Sequence, residues 1–483
     1  MISTRNILLG KFAFLWPGVM TVIIFLAYCH TFSYPLSILD DLSALAENTL
    51  LFRTPVLPLR TRWLVDMSFR LNYVIGKGLV PADLRITNVM IHICSAICLF
   101  RLLYLTFKSR TFDETIRFNA TYIAAFTALL WAIHPIQTSA ITYVCQRYES
   151  MMGMFYLLTF YLFIKGLSAS LHNWVWFTLS FFSCLATMAT KEVSVTLPVM
   201  LLAYDWVFGE TISSKKLRNR FMLHAMFFAA YGLFIFLWFK GLILAINTGR
   251  AGIPFSFTSS WQYFRTQFVI VLYYLRLIIF PYPLCFDYAW QIENKWEVYL
   301  PAGFILFLLI VFSFVKFVKK SPIGYGGIWY FFILSPTSSI FPLADLAFEH
   351  RLYLPSIAIL SGVVIFGVKI ANMLKYKFLC ARKLIELVAI ICALFVVILF
   401  FGLTVVRNKD YSSAERMWTD TIKKSPYNWR AYINLAVEAC DKGRLNKGKE
   451  YCNTILNNLP YRTIIENGEV KKIFEANNVR FYS

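Results

Sequence analysis

The sequence contains little charge for its length. Only 15% of its 483 residues are Asp, Glu, Lys or Arg, whereas 58% are hydrophobic. A soluble protein of this size would need far more polar surface around its core. The shortage of charge excludes an ordinary soluble domain and predicts an all-α polytopic membrane protein.

Acidic residues are scarcer than basic ones, with 26 Asp and Glu against 47 Lys and Arg and a formal net charge of +21. In a soluble protein this excess would suggest a nucleic-acid partner. In a membrane protein, Lys and Arg accumulate in the cytoplasmic loops, and a site for an anionic lipid phosphate would add further cations. We therefore expect membrane lipid, and no nucleic acid, as a partner.

Closely spaced cysteine pairs are also missing. The ten cysteines form no Cys-x-x-Cys motif, which argues against a zinc or iron–sulfur site. Cys440 and Cys452 lie near the C-terminus, where either a disulfide or two buried thiols fit the sequence.

Long hydrophobic runs dominate the rest of the chain. A membrane-spanning helix needs about 20 apolar residues, and the first run shows no small-residue cleavage site, so we expect it to be retained as a span. A further run, 262–280, has its polar residues on one helical face and is predicted to lie in the membrane interface. The eleven predicted spans are 12–29, 86–107, 118–133, 152–167, 174–189, 193–208, 221–246, 299–318, 326–339, 354–374 and 384–406.

The basic loops fall on one side of the membrane only if there are eleven spans. The positive-inside rule then predicts a cytoplasmic N-terminus and an extracytoplasmic C-terminal tail. Residues 1–406 would form the membrane domain. Its first outer loop, 30–85, would carry amphipathic helices, and its loop 247–298 would carry the interfacial helix. Residues 407–483 would form a short helical tail that resembles one tetratricopeptide repeat and leans on the membrane domain.

Five polar segments border the predicted spans, and this arrangement places all of them on the outer face. Charges beside spans are costly and are usually functional. We therefore expect the five segments to converge in one pocket. They are Asp40-Asp41, His134-Pro135, Gln146-Arg147, Lys191-Glu192 and Glu349-His350-Arg351.

Taken in chain order, these motifs resemble the GT-C membrane glycosyltransferases, in particular the transmembrane and tetratricopeptide-repeat O-mannosyltransferases and their bacterial relatives. The most specific segment is Glu349-His350-Arg351-Leu352-Tyr353-Leu354-Pro355. The residues after His134-Pro135 depart from the family pattern, which leaves the sugar and the acceptor open.

The resemblance implies that a polyprenyl-phosphate sugar, mannose or another hexose, is used on the extracytoplasmic face. The expected acceptor is a Ser or Thr hydroxyl of a secreted or pilus protein, with a lipid or glycan as the second possibility. The short repeat tail favours a bacterial inner membrane.

The residue types suit this chemistry. We expect Asp40 to be the general base that accepts the proton of the acceptor hydroxyl, with Asp41 positioning it or substituting for it. The alternative is a turn at the end of the first span. Fixed cations would stabilise the leaving phosphate. For that role we expect Arg351, Arg147 and Lys191, with His350 as a hydrogen-bond donor.

Four further residues are expected to support the site. Glu349 would orient Arg351 or His350, and Glu192 would act beside Lys191, although an internal Lys191–Glu192 ion pair is the alternative. Tyr353 would line a sugar or lipid groove or anchor in the interface. His134 has a helix-end cap as its alternative, and for Arg147 the alternative is snorkelling to the interface. A monophosphate leaving group carries modest charge, so we expect no metal or other cofactor.

Two other functions fit part of the pattern. A transporter or lipid-linked-sugar flippase would also combine many spans with intramembrane charges. The chain shows no internal repeat, however, and its charges lie at span ends. A non-enzymatic scaffold acting through the tail would not need the outer acidic pair.

Overall fold

A computed structural model describes residues 15–36, 41, 45, 52, 62–169, 171–210, 220–247 and 259–457, with the backbone alone for 237–247. The α-helices are α1 Leu15–Tyr28, α2 Trp63–Ile75, α3 Pro81–Phe107, α4 Glu114–Phe118, α5 Ala120–Ala132, α6 Thr138–Ile141, α7 Arg147–Ser168, α8 Asn173–Met188, α9 Leu197–Tyr204, α10 Phe221–Asn247, α11 Ser260–Ile279, α12 Trp296–Val318, α13 Pro322–Leu334, α14 Ser356–Lys377, α15 Arg382–Asp410, α16 Ala414–Lys424, α17 Trp429–Asp441 and α18 Leu445–Asn457.

The predicted all-α membrane fold is confirmed, because helices and no strands make up the described part of the chain. Seven of its helical segments are long and apolar enough to cross a membrane, and three shorter helices are also apolar. The count of eleven spans stays a prediction. Many apolar side chains on α12 and α15 face outward, which suits helices that contact lipid.

A polar stripe on α3 fastens several segments at one end of the bundle. Arg85, Asn88 and His92 recur at helical spacing and are all buried. Asn88 Nδ2 donates to the carbonyls of Ile141 and Val144, at 3.1 and 3.3 Å. Since these side chains are hydrogen-bonded, the stripe stabilises the segment between α5 and α7 despite its burial among apolar helices.

We call this end of the bundle the loop end. It comprises the segments 134–147, 189–196 and 335–355. Helix α11 contacts it along its whole length. Near the start of α11, the Tyr263 hydroxyl donates to the Thr337 carbonyl at 2.7 Å. Near its end, the Ile278 carbonyl accepts from His134 Nε2 at 2.9 Å. We infer that α11 lies across the loop end.

The tail packs against the loop end through aromatic side chains. The ring of Phe286 lies 5.5 Å from Trp418 and 6.1 Å from Tyr411. Helices α17 and α18 form an antiparallel pair joined at Gly443, whose φ of 72° suits glycine. Cys440 and Cys452 are both free thiols. The tetratricopeptide likeness stays a prediction, and residues 458–483 of the predicted tail lie outside the described residues.

Candidate active site

The structure brings described members of all five polar segments together at the loop end. The backbone N–H of Cys145, next to Gln146, donates to Asp41 Oδ1 at 2.7 Å. Lys191 Nζ lies 2.6 Å from Glu149 Oε2. The turn Pro135–Gln137 contacts the turn Glu349–Leu352. Segments more than 300 residues apart in sequence therefore meet at one end of the bundle.

The acidic pair is fixed to this cluster through its second member. Asp41 is 1% exposed, and the Arg85 guanidinium lies close enough to interact with its charge. Arg85 in turn donates to the carbonyls of Pro35, at 2.9 Å, and Thr142. Asp40 lies outside the described residues. Asp41 therefore ties the chain that follows α1 to the segment before α7.

A second contact ties the middle of the first outer loop to the same end of the bundle. Arg62 immediately precedes α2, and its Nε and Nη2 donate to the two carboxylate oxygens of Glu192 at 3.0 and 2.9 Å. The alternative of a Lys191–Glu192 pair is wrong, because each residue pairs with a different segment. Such a two-pronged contact fixes orientation as well as distance.

Lys191 and His350 both keep N–H donors that no described residue accepts. Lys191 is paired with the buried Glu149, which leaves two of its three N–H groups without a partner among the described residues. His350 lies near Lys191, and its ring stacks on Phe348 at 5.0 Å. Burial, together with Lys191 and Arg351, lowers the pKa of His350 well below its ordinary value. The imidazole is therefore neutral near pH 7 and donates from one nitrogen.

Arg147 has a different environment from the one expected. It is 0% exposed, so snorkelling to the interface is wrong. Its guanidinium donates to Asn88 at 2.6 Å, to Ser68 at 3.1 Å, to Asn72 at 2.8 Å and to the Leu84 carbonyl at 2.8 Å. With four hydrogen bonds already formed, Arg147 holds α2 against α3, which is poor geometry for also binding a lipid phosphate.

Arg351 likewise donates hydrogen bonds within the loop end. Its Nη1 donates to the carbonyls of Thr337 and Leu346, at 3.1 and 3.0 Å, and its Nη2 donates to the Asp345 carbonyl at 2.7 Å. The fork of the guanidinium therefore holds the 337–346 loop in shape, and this geometry does not favour the expected phosphate contact.

Glu349 does not orient Arg351 or His350, so that expectation is wrong. Its Oε1 accepts from the Cys285 N–H and the Tyr288 hydroxyl, both at 2.7 Å. Burial raises the pKa of Glu349, and the nearby Arg407 opposes that rise. Glu349 thus fastens the 285–288 loop to the turn that carries His350.

His134 and Tyr353 both have structural surroundings. His134 Nδ1 accepts from the Ile136 N–H at 3.2 Å, so His134 caps the start of the turn Pro135–Gln137 and not the end of α5. Tyr353 is 0% exposed, and its hydroxyl lies 2.9 Å from His92 Nδ1. It therefore neither lines an open groove nor anchors in the interface, and both expectations for Tyr353 are wrong.

In the described part of the chain, no group of three or more His, Cys, Asp or Glu side chains could hold a metal ion. Since Asp40 is outside that part, the absence of a metal requirement stays a prediction.

Two residues of the cluster were not predicted from the sequence as site residues. Glu149 lies inside the run that precedes a predicted span, where a single acid is easily taken for a helix-start residue. Asn88 is uncharged, yet the spacing of Arg85, Asn88 and His92 on one face of an apolar helix was a readable signal.

Comparison with known proteins confirms the predicted resemblance. Across 441 residues the chain is 22% identical to protein O-mannosyl-transferase TMTC1 of Homo sapiens, covering 83% of this chain and 48% of the relative. It is 24% identical over 436 residues to TMTC4 of Homo sapiens, covering 81% of this chain and 57% of that protein. With tmtc2 of Xenopus laevis it shares 28% identity over 277 residues, which is 53% of this chain and 32% of the relative.

The chain thus spans from about a third to somewhat over half the length of these curated relatives. No protein-family model and no solved structure matches it. These relatives are animal proteins, and the bacterial inner membrane stays a prediction.

Proposed function

We propose that this protein is a membrane glycosyltransferase that moves a sugar from a polyprenyl-phosphate donor to a hydroxyl of a protein acceptor on the extracytoplasmic face. The names of its relatives make mannose the first sugar to test. The observation that carries the proposal is the position of Lys191 and His350, which have unused donors and lie in the cluster that anchors Asp41.

In the proposed reaction, the acceptor oxygen attacks the anomeric carbon and its proton passes to the carboxylate of Asp40. A carbon–oxygen bond to the sugar forms, and the bond from the sugar to the donor phosphate breaks. The leaving polyprenyl phosphate gains negative charge at that moment. Donors already fixed in position stabilise this charge most effectively.

We assign the phosphate contact to Lys191 and His350. Glu149 holds Lys191 in place, while Arg147 holds α2 against α3 and Arg351 maintains the shape of the 337–346 loop. Asp41 positions Asp40 by fixing the backbone beside it. Glu192 restrains the first outer loop through Arg62. No metal is needed in this scheme, and the acceptor is a secreted or pilus protein.

The test is a transfer assay on the 483-residue chain in lipid nanodiscs, with polyprenyl-phosphate mannose and a Ser- and Thr-containing peptide. Asp40→Asn should abolish transfer while the protein inserts and purifies normally. Glu114→Gln is the matched control, because its carboxylate is 94% exposed at the opposite end of the bundle.

The other functions give different results in the same preparation. A flippase would move the donor lipid between leaflets of a vesicle without consuming it, and a scaffold would be indifferent to Asp40→Asn. Unchanged transfer by Asp40→Asn would reject the assigned base. Absence of transfer by the wild-type protein with several lipid-linked hexoses would reject the enzyme.

A further inference from the structure

A small recess opens at the loop end where the tail meets the membrane domain. Its volume is about 60 Å³, and three separate segments line it. Asp287 and Trp290 come from the loop after α11, Asp345 from the loop before α14, and Arg430 from tail helix α17. The tail therefore completes this recess.

Charge pairing fixes the walls of the recess. Arg430 Nε lies 2.9 Å from Asp287 Oδ2, and its Nη2 lies 2.7 Å from Asp345 Oδ1. Asp287 is only 2% exposed, and its carbonyl also accepts from Asn428 at 2.8 Å. A buried carboxylate held by a guanidinium is costly to move, so this part of the site is built before any ligand arrives.

The recess adjoins the motif assigned to the reaction. The carbonyl of Asp345 accepts from Arg351. Asp345 therefore both lines the recess and contacts Arg351. The ring of Trp290 lies 6.1 Å from that of Tyr288, whose hydroxyl donates to Glu349. One layer of side chains therefore separates the recess from the Glu349–Arg351 turn.

The chemistry of the walls selects the ligand. Two carboxylates against one guanidinium leave the recess with a net negative charge, which repels a lipid phosphate or another anion. Half-buried Trp290 offers an apolar ring face. The volume is below the roughly 300–1,000 Å³ typical of sites for drug-sized ligands. A single neutral side chain that can donate a hydrogen bond to a carboxylate fits this description.

We propose that this recess binds a hydroxyl-bearing side chain of the polypeptide acceptor, and that the tail forms one wall of the acceptor site. This inference rests on the proposed function. In this arrangement Trp290 packs against the acceptor segment, and Asp345 accepts a hydrogen bond from a Ser or Thr hydroxyl that neighbours the one whose proton passes to Asp40. The membrane domain supplies the donor site, and the junction with the tail supplies acceptor recognition.

The test compares Trp290→Ala with Trp174→Ala in the transfer assay. We expect Trp290→Ala to raise the KM for the acceptor peptide about tenfold, with the KM for the donor lipid and kcat unchanged. Trp174 is 65% exposed at the start of α8, at the opposite end of the bundle, so its variant should match the wild-type protein. An acceptor KM for Trp290→Ala within twofold of wild type would overturn the proposal.

A second measurement separates acceptor binding from simple docking of the tail. Cys285 is 2% exposed beneath the tail, and burial raises the pKa of its thiol to about 12. Arg430→Ala should loosen the tail and speed labelling of Cys285 by a maleimide, followed by peptide mass spectrometry. Trp290→Ala should leave that labelling slow. If both variants expose Cys285 equally, the recess serves only to dock the tail and the proposal fails.

Direct binding keeps this inference separate from the proposed function. If the wild-type protein transfers no sugar but binds the Ser- and Thr-containing peptide, weaker binding by Trp290→Ala still supports the recess. If the wild-type protein does not bind the peptide, or if Trp290→Ala binds it as tightly, the recess proposal is rejected whatever the protein transfers.

Discussion

The two ends of the helix bundle use buried charge differently. At the end opposite the loop end, Asp205 is 0% exposed and accepts from Arg220 at 2.7 and 2.8 Å and from His224 at 2.8 Å. These three residues lie within 20 positions of one another in sequence. At the loop end, the paired residues come from segments 42 to 143 positions apart, as Lys191–Glu149 and Arg430–Asp287 illustrate.

This difference separates a structural cluster from a candidate site. The Asp205 carboxylate accepts hydrogen bonds from Arg220 and His224. These contacts hold the start of α10 against the end of α9. At the loop end, Lys191 and His350 keep donors that no described residue uses. Satisfied charges stabilise a fold, whereas charges with unused donors in a fixed position can bind a ligand.

Asp205→Ala should have the largest effect on stability. It removes the buried carboxylate that both Arg220 and His224 contact, and breaking a buried pair costs about 3–5 kcal/mol in the free energy of unfolding. Thermal unfolding in nanodiscs measures this loss. Protein that remains folded should transfer sugar at the wild-type rate, since the cluster lies far from the loop end. If the folded variant transfers sugar more slowly than the wild-type protein, the Asp205 cluster also affects catalysis. The two ends of the bundle would then not differ as a structural cluster and a candidate site.

The paired replacement of Lys191→Met with Glu149→Gln should have the largest effect on catalysis. Removing both charges avoids leaving a carboxylate buried and unpaired, so the folded protein should persist. Loss of one fixed donor to a developing anion lowers kcat roughly 10²–10³-fold. Lys369→Met, which removes an exposed lysine paired with Asp113, is the control. A kcat for the paired variant within threefold of wild type would show that Lys191 does not contact the phosphate.

His350→Gln should reduce the slope of the free energy of unfolding against pH. The pKa of His350 is lowered in the folded protein, so the unfolded chain binds the proton more readily. Its stabilising contribution is therefore complete above about pH 6.5 and falls as the pH drops below that value, by up to about 1.4 kcal/mol per pH unit. Unfolding curves of both proteins between pH 7.5 and 5 measure the slope. Equal slopes would mean that His350 is not buried as a neutral imidazole.

Arg62→Ala should have the smallest effect on stability. Arg62 and Glu192 have side-chain exposures of 44% and 39%, and an exposed ion pair contributes about 0–1 kcal/mol. Limited proteolysis of the first outer loop should nevertheless become faster, because this contact fastens the loop. If neither unfolding nor proteolysis changes, the Arg62–Glu192 contact does not restrain the loop.

The sequence predicted the architecture well because long apolar runs and loop charge are strong signals. The polar segments could be placed at one end because a charge beside a span has few alternatives. The interfacial position of α11 was predicted from polar residues such as Gln262 and Thr266 on one face, and it stays a prediction. Both ends of that helix contact the loop end.

The partners of individual side chains could not be read from the sequence. Lys191 and Glu192 are adjacent, yet one pairs with Glu149 and the other with Arg62. Glu349 lies beside His350 and Arg351, yet it accepts from Cys285 and Tyr288. Adjacent residues in a tight turn point in different directions, so their partners depend on which distant loops pack there. Arg147 and Arg351 were expected at the phosphate because their residue type suits it, and type alone does not reveal that other groups already occupy their donors.

The most direct test of the central claim is an electron cryo-microscopy structure of the wild-type protein in nanodiscs with a bound polyprenyl phosphate. We predict phosphate density within hydrogen-bond distance of Lys191 Nζ and His350. Density for the phosphate at the Asp205 end, or bound to lysines of the basic loops with Lys191 still contacting only Glu149, would contradict the account.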